Sequence, residues 1–517
     1  MQKLINNKLL LITLIIFVFA FLIFRPYQLQ DGSLLYSGDD EMYFAHATSL
    51  IFLEFPEYNK EYWTGIEPYP MASIGPALMA LPFVFTFSLI DRIADNEIIR
   101  ERNRESIENI WALFGFVIST IFYFYLGIIL LYLGLSYFFN NRISFLTILF
   151  MILFQYFPLY VFRRPVFSHI YEFFLQSTLI FIFLKLYKEK FSIISFKITI
   201  LIGVLIGLIP LVRYGNIFIA ITWQIIFYIA YKKFTNKKWL KGLIIVTAIA
   251  VALIALFKVY PTIYYGYEAY SDSIKNYLLT IKSPLFYLKR MFHIFFWIDW
   301  GLIYTAPFLV ISLVYSFFIR KEIGFYIKLM LIPIIFNLYG TIMWGTQGGW
   351  YGYRYMVFSL IPILIFPFAY FLNNIFTHKK YKLYIILFSL IAIFPILSML
   401  LFEGNNTNLT LKIIKQYFEI TDWGNNFYQV EIYKTLIQNP IGFFISIFKG
   451  GPIYLMYITA NIFNFDKFLP AIVLEKYPFS NIRILIKTII IYIFPFVLYF
   501  LYILITQLKN KKLSKIT

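Results

Sequence analysis

The stretch "EPYPMASIGPALMALPFVFTFSLI", residues 67–90, is apolar enough over its second part to enter a bilayer, yet carries Pro68, Pro70, Pro76 and Pro82. Whether it crosses decides the topology of everything after it. Each proline removes a backbone donor and crowds the preceding turn, and lipid supplies no water to replace the lost bond. The positions of the basic residues give an independent test. Lys and Arg gather in short clusters between apolar segments: "KLYKEK" at 185–190, "KKFTNKKWLK" at 232–241, "RKE" at 320–322, "HKKYK" at 378–382 and "KNKKLSK" at 509–515. This is the pattern of cytoplasmic loops. Successive clusters on one side must be separated by an even number of crossings, and the segments between most of them satisfy this. Between Lys8 and Arg142, however, lie three apolar candidates, 9–24, 71–90 and 111–138. One of them cannot cross, and the proline-rich segment is the weakest. Residues 25–110 therefore read as one large external loop, with 71–90 a helix lying in the interface.

The remaining composition agrees with a polytopic helical membrane protein. Of 517 residues, 61% are hydrophobic, 22% aromatic and only 14% charged, against about a quarter charged in a soluble chain. Windows of about 18 or more nearly uncharged residues recur, without the strict alternation that an outer-membrane barrel requires. The net charge of +19 belongs to the loop clusters, not to a nucleic-acid face. There is no cysteine, which excludes disulfides and thiolate metal sites. Lys3 and Lys8 precede the apolar run 9–24, but "FRPYQ" follows in place of a small-residue cleavage site, so this run reads as an uncleaved first helix. The count reaches about 12 spanning helices with both termini cytoplasmic. It divides the chain into a transmembrane module over 1–402, an external amphipathic loop region over 403–482, and a last helix with a basic tail over 483–517.

Against so few charges, "SGDDEMYFAHA" at 37–47 is unusual, placing Asp39, Asp40 and Glu41 in consecutive positions on the outer side. One reading is a helix start capped by its acids. Other outward-facing pieces point further: "RRPVFSHIYEFF", "GLIPLVRYGN", "WGLIYTAP" and "GGWYGYRYM". An ionisable residue at such a place is costly unless partnered or functional.

Taken in order, these pieces resemble the GT-C superfamily of membrane glycosyltransferases, in the branch of the protein O-mannosyltransferases and lipid A aminoarabinose transferases. The resemblance covers most of the chain up to about residue 376. Asp39, Asp40 and Tyr43 match that family's spacing at the start of the first external loop. The resemblance implies an enzyme that moves a sugar from a polyprenyl-phosphate donor to an acceptor on the non-cytoplasmic face. Asp39 is then the base that takes the acceptor's proton, in a single inverting displacement unlike the two-carboxylate retaining route. Asp40 positions the acceptor or exchanges roles with Asp39. The leaving phosphate needs cations, for which Arg354, Arg213, His169, Lys282 and Arg290 are the candidates, with Tyr43 and Glu172 as supporting residues. Each has a structural alternative: Arg354 as an interfacial anchor, Arg213 in a buried ion pair, Lys282 and Arg290 on lipid headgroups.

Where family members often place a second acid, this chain has Ser168 and His169, with Glu172 one turn on. That departure leaves a divalent metal open; the sequence itself shows no metal site and implies no other cofactor. The partners expected are the lipid-linked donor, a glycolipid, polysaccharide or protein acceptor, and the surrounding lipids, with no nucleic acid. The expected location is a bacterial inner membrane with the active site facing outward. Two other classes compete: a surface-polysaccharide polymerase or ligase, which does not need an acidic pair in its first loop, and a lipid-linked-sugar flippase or transporter. The latter predicts mid-membrane charges or duplicated halves, and no internal repeat is visible.

Overall fold

The computed structural model describes residues 2–29, 38–56, 72–93, 111–191, 195–234, 239–265, 283–296, 301–318, 324–344, 354–401, 450–463 and 482–513, and single positions at 437, 440 and 448. Among these residues every regular element is helical. The order begins α1 (Gln2–Ile23), α2 (Gly38–Ile51), α3 (Gly75–Ile93), α4 (Trp111–Ser136) and α5 (Asn141–Ile148), which a π-turn at Leu149–Leu153 joins to α6 (Phe157–Phe162). α7 (His169–Lys188) and α8 (Phe196–Val212) follow, then a 3₁₀ turn at Tyr214–Asn216, α9 (Ile217–Phe234) and α10 (Trp239–Ile254). A second π-turn at Ala255–Val259 leads into α11 (Tyr260–Tyr265), and then come α12 (Pro284–Phe296), α13 (Leu302–Thr305), α14 (Pro307–Phe318) and α15 (Gly324–Trp344). The chain closes with α16 (Arg354–Thr377), α17 (Tyr381–Leu401), α18 (Gly451–Ile462) and α19 (Ile482–Leu513).

Nine helices among the described residues are long and apolar enough to cross a membrane, and four shorter apolar helices of 10–17 residues accompany them. The chain is a multi-pass integral membrane protein. One of the nine, α3, is the proline-rich segment that the sequence reading leaves out of its count of about 12, and the other eight with the four shorter helices make twelve. The run after Arg142 breaks at the π-turn Leu149–Leu153, and α8 ends two residues after Pro210. Most of 403–482 lies outside the described residues. Within it, α18 packs on the end of α1, where a Cβ on Gly450 or Gly451 would run into the Phe21–Leu22 backbone.

Burial identifies the centre of the bundle: 72% of the α4 span, 78% of α7 and 83% of α16 is enclosed by protein. α4 and α7 approach closely because Gly127 stands where they touch; a Cβ there would lie 2.7 Å from the Phe173 ring. Small residues at such crossings let backbones meet in lipid, where no hydrophobic force pushes helices together. α10, with 11% of its span enclosed, is peripheral.

Charge fixes the two ends of the bundle. Lys8 on α1 lies 4.9 Å from the Phe145 ring of α5, and Arg142 lies 4.5 Å from Phe376 at the end of α16. Lys188 at the end of α7 lies over Phe138, just past α4. These basic ends meet on one side, so the starts of α4, α7 and α16 share the other. α3 is held between helix ends on that second side. Ser73, just before it, donates to the Val212 carbonyl of α8 at 2.7 Å. At its far end Asp91 accepts from the backbone N–H groups of Trp111 and Ala112, at 2.9 and 2.8 Å, capping α4. The sequence reading keeps residues 71–90 in the interface. By length and apolarity α3 ranks with the helices able to cross, and it packs lengthwise on the first half of α4: a Cβ on Gly115 would run into the Phe83 backbone, and Tyr123 donates to the Met79 carbonyl at 2.9 Å.

Candidate functional site

The first turn of α2 carries Asp39, Asp40 and Glu41, where the unpaired N–H groups and the helix dipole favour negative charge. Neighbouring positions on a helix point about 100° apart, and the two aspartates divide accordingly. Asp39 is exposed, whereas Asp40 is 1% exposed. One turn on, Tyr43 is buried beside Ser168, within electrostatic reach of Asp39, Asp40 and Arg213. Burial first, and then the Asp39 charge, push the Tyr43 phenol above its ordinary 10. It is therefore a hydroxyl donor at any physiological pH.

The wall facing α2 comes from "RRPVFSHIYEFF". α6 ends at Phe162, and Pro165 prevents the helix from simply continuing, so the chain turns before α7 restarts at His169. That turn buries Arg163 and Arg164. Arg164 is an electrostatic neighbour of Asp40 and Arg354. Both guanidiniums flank one ring: Arg354 is 5.2 Å and Arg164 5.8 Å from the centre of Phe167. Such placement over an aromatic face holds a cation in a dry setting.

The third part joins α7, α16 and the turn after α8. Arg213 has extended backbone at the end of α8, which reaches its side chain across to α7. Its Nη1 lies 3.3 Å from Glu172 Oε2 and 3.4 Å from His169 Nδ1. Ser359 of α16 donates to the other Glu172 oxygen. His169 stacks on Phe358 at 5.2 Å with Tyr160 edge-on at 5.5 Å, so its ring orientation is set by packing. Glu172 is 1% exposed and Arg213 16%, which leaves the arginine as the more open member of the pair.

The structure thus brings together Asp39, Asp40, Tyr43, His169, Glu172, Arg213 and Arg354 at the end of the bundle opposite the basic clusters. Lys282 lies outside the described residues. Arg290 sits on α12 with its guanidinium 5.5 Å from the Phe286 ring. Its element packs with α13 and α15, so the described contacts place it with those helices and not in the cluster. Arg163 and Arg164 are the residues that the sequence reading passed over. Their signal was the doubled arginine inside an apolar run, which burial makes costly without a nearby acid or anion. Among the described residues no three His, Asp or Glu side chains converge at metal-ligand spacing.

α2 is itself fastened by His46, which is fully buried and donates through Nε2 to the Ala72 carbonyl at 2.9 Å. Burial pulls this imidazole down from 6.5 to about 4. The unfolded chain then takes up the proton first, so stability present above pH 6.5 is lost as the pH falls toward 4. The loss expected is about 3 kcal/mol across that window. Thermal unfolding of the detergent-solubilised protein at pH 7 and 4.5 checks this: a His46→Gln variant should show a flatter pH dependence than the wild type.

Neither a protein-family model nor a curated protein matches the chain. Among solved structures it is similar to the oligosaccharyltransferase of Archaeoglobus fulgidus. The apo form gives a TM-score of 0.46 at 14% identity, over 82% of this chain and 59% of that one. The same organism's AglB in complex with an inhibitory peptide and a dolichol-phosphate gives 0.45 at 14% identity, again over 82% and 59%. The chain spans less than two thirds of the length of these enzymes.

Proposed function

We propose that the protein is a membrane glycosyltransferase of GT-C type that transfers a sugar from a polyprenyl-phosphate donor to an acceptor on the face opposite the basic loops. One observation carries the reading: an acidic helix start, buried guanidiniums and a braced carboxylate meet at that end of the bundle from four separate parts of the chain. All four parts, in "SGDDEMYFAHA", "RRPVFSHIYEFF", "GLIPLVRYGN" and "GGWYGYRYM", also carry the sequence resemblance.

The division between the aspartates supports assigning their roles. A base must meet an acceptor that arrives from outside, and Asp39 is the exposed one. Asp40 is buried beside Arg164, away from an acceptor that arrives from outside. It orients the guanidinium wall. As the acceptor oxygen attacks the anomeric carbon, its proton passes to the Asp39 carboxylate and the new glycosidic bond forms. The bond from that carbon to the phosphate oxygen breaks, and its electron pair leaves with the phosphate. Arg354, Arg164 and Arg213 provide fixed positive charge for the leaving group, which in a water-poor site is worth more than in bulk. Tyr43 donates a hydrogen bond at the acceptor side.

The preferred acceptor is a glycolipid or polysaccharide, and the preferred setting a bacterial inner membrane with the site facing outward. Cells lacking the protein are expected to accumulate the polyprenyl-phosphate sugar and lose one surface glycan modification. Mass spectrometry of lipid-linked sugars and of surface glycans reads both. Unchanged donor pools together with unchanged glycans would overturn the proposal.

A further inference from the structure

Lys258 is a cation on the most lipid-facing helix of the bundle, and the backbone is distorted at that residue. Through Val246, Ile249, Ala250 and Leu253, α10 packs against Gly203 and Gly207 of α8. At 100° per residue, a regular helix would carry Lys258 roughly 130° away from the centre of that face, into lipid. The π-turn Ala255–Val259 inserts an extra position and rotates the rest of the helix by roughly 100°. Lys258 is thereby returned to the protein side, where its Nζ lies 3.8 Å from the centre of the Tyr214 ring. Phe257 meets Phe55, beyond the end of α2, at 5.8 Å.

Two features make this more than a hidden charge. Around Lys258 the surface stays apolar and open: Leu256, Val259, Tyr260 and Ile263 are 52%, 45%, 47% and 74% exposed. Any ligand reaching the ammonium from that side comes through the bilayer. On the other side, Tyr214 directly succeeds Arg213, and its hydroxyl donates to the Ala72 carbonyl at 3.3 Å. His46 holds that same oxygen. Lys258, Tyr214 and Arg213 therefore form a continuous step from the lipid-facing surface to the Glu172–His169 cluster.

We propose that Lys258 is the membrane-side contact for the phosphate of a lipid-borne substrate, which enters beside the π-turn and passes from Lys258 to Arg213. The chemistry required is a phosphate ester on one long apolar chain, which a two-chain glycerophospholipid does not present. That this lipid is a polyprenyl phosphate rests on the function proposed above.

The test is binding of a long-chain polyprenyl phosphate to the full chain in nanodiscs, with phosphatidylglycerol and inorganic phosphate as competitors. The Lys258→Met variant is expected to bind about tenfold more weakly, a loss typical of one charge-assisted contact, while Lys258→Arg retains binding. Phosphatidylglycerol and inorganic phosphate are expected not to compete. Unchanged binding by a Lys258→Met variant that elutes and melts like wild type overturns the inference and leaves the functional reading standing. Equal competition by phosphatidylglycerol reduces Lys258 to a general headgroup contact and overturns it as well. A folded wild-type protein that binds no polyprenyl phosphate overturns both.

Discussion

Replacement of Asp39 by Asn is expected to lower the rate of sugar transfer by about 10²–10⁴-fold, the range for losing a positioned general base. The amide keeps the shape and one oxygen of the carboxylate, so the first turn of α2 should persist. It cannot accept the acceptor's proton. Donor binding is expected to be unchanged, because the cations that face phosphate stand on other elements, and exposed Asp39 holds none of them in a described ion pair. Single-turnover transfer from a labelled polyprenyl-phosphate sugar, beside equilibrium binding of that lipid, separates the two effects. Near-normal transfer by the Asn variant would remove Asp39 from the base role. The companion Asp40→Asn should behave differently: Asp40 is buried near Arg164, so its loss should weaken folding as well as activity.

The second large effect is expected at Arg213. Removing it leaves Glu172 at 1% exposure with the uncharged Ser359 and Asn216 beside its carboxyl. Breaking a buried pair from one side costs about 3–5 kcal/mol, because the remaining charge keeps its desolvation penalty. Arg213→Met should therefore lower the melting temperature strongly and abolish transfer. A Glu172→Gln change in the same protein removes the stranded charge and should restore most of the stability. If Arg213 serves only the fold, transfer should return with stability. With Arg213 as a receiver of the phosphate, transfer stays lost, since that guanidinium is still missing. Thermal unfolding and transfer measured on the single and double variants decide between these outcomes.

How far the sequence reaches can be seen at individual residues. Asp39, Tyr43, His169, Glu172, Arg213 and Arg354 stood out because each is a polar group at the edge of an apolar run, where its cost in lipid makes it conspicuous. Arg164 stood in the same quoted motif but was not singled out, because a doubled arginine beside a proline also suits an interfacial turn. Its burial against Phe167, Asp40 and Arg354 depends on α2 and α16 closing over it. Lys258 gave even less signal. In a regular helix it would be one snorkelling lysine near a membrane surface, and only the π-turn directs it to Tyr214. Apolar length likewise does not reveal where the chain breaks within a run, as at the π-turn Leu149–Leu153.

By itself the sequence determined that this chain lives in a membrane as a bundle of helices, and its basic clusters told one end of that bundle from the other. Those properties follow from composition and from local spacing, since lipid excludes unpaired backbone and loop charge sets orientation. Tertiary structure alone decided which of two adjacent aspartates is open and which is buried. It also decided which arginines share a ring, and that residues from four separate parts of the chain meet in one cluster. Contacts between distant helices depend on where small residues allow close approach and where turns redirect side chains, and no local pattern encodes the partner.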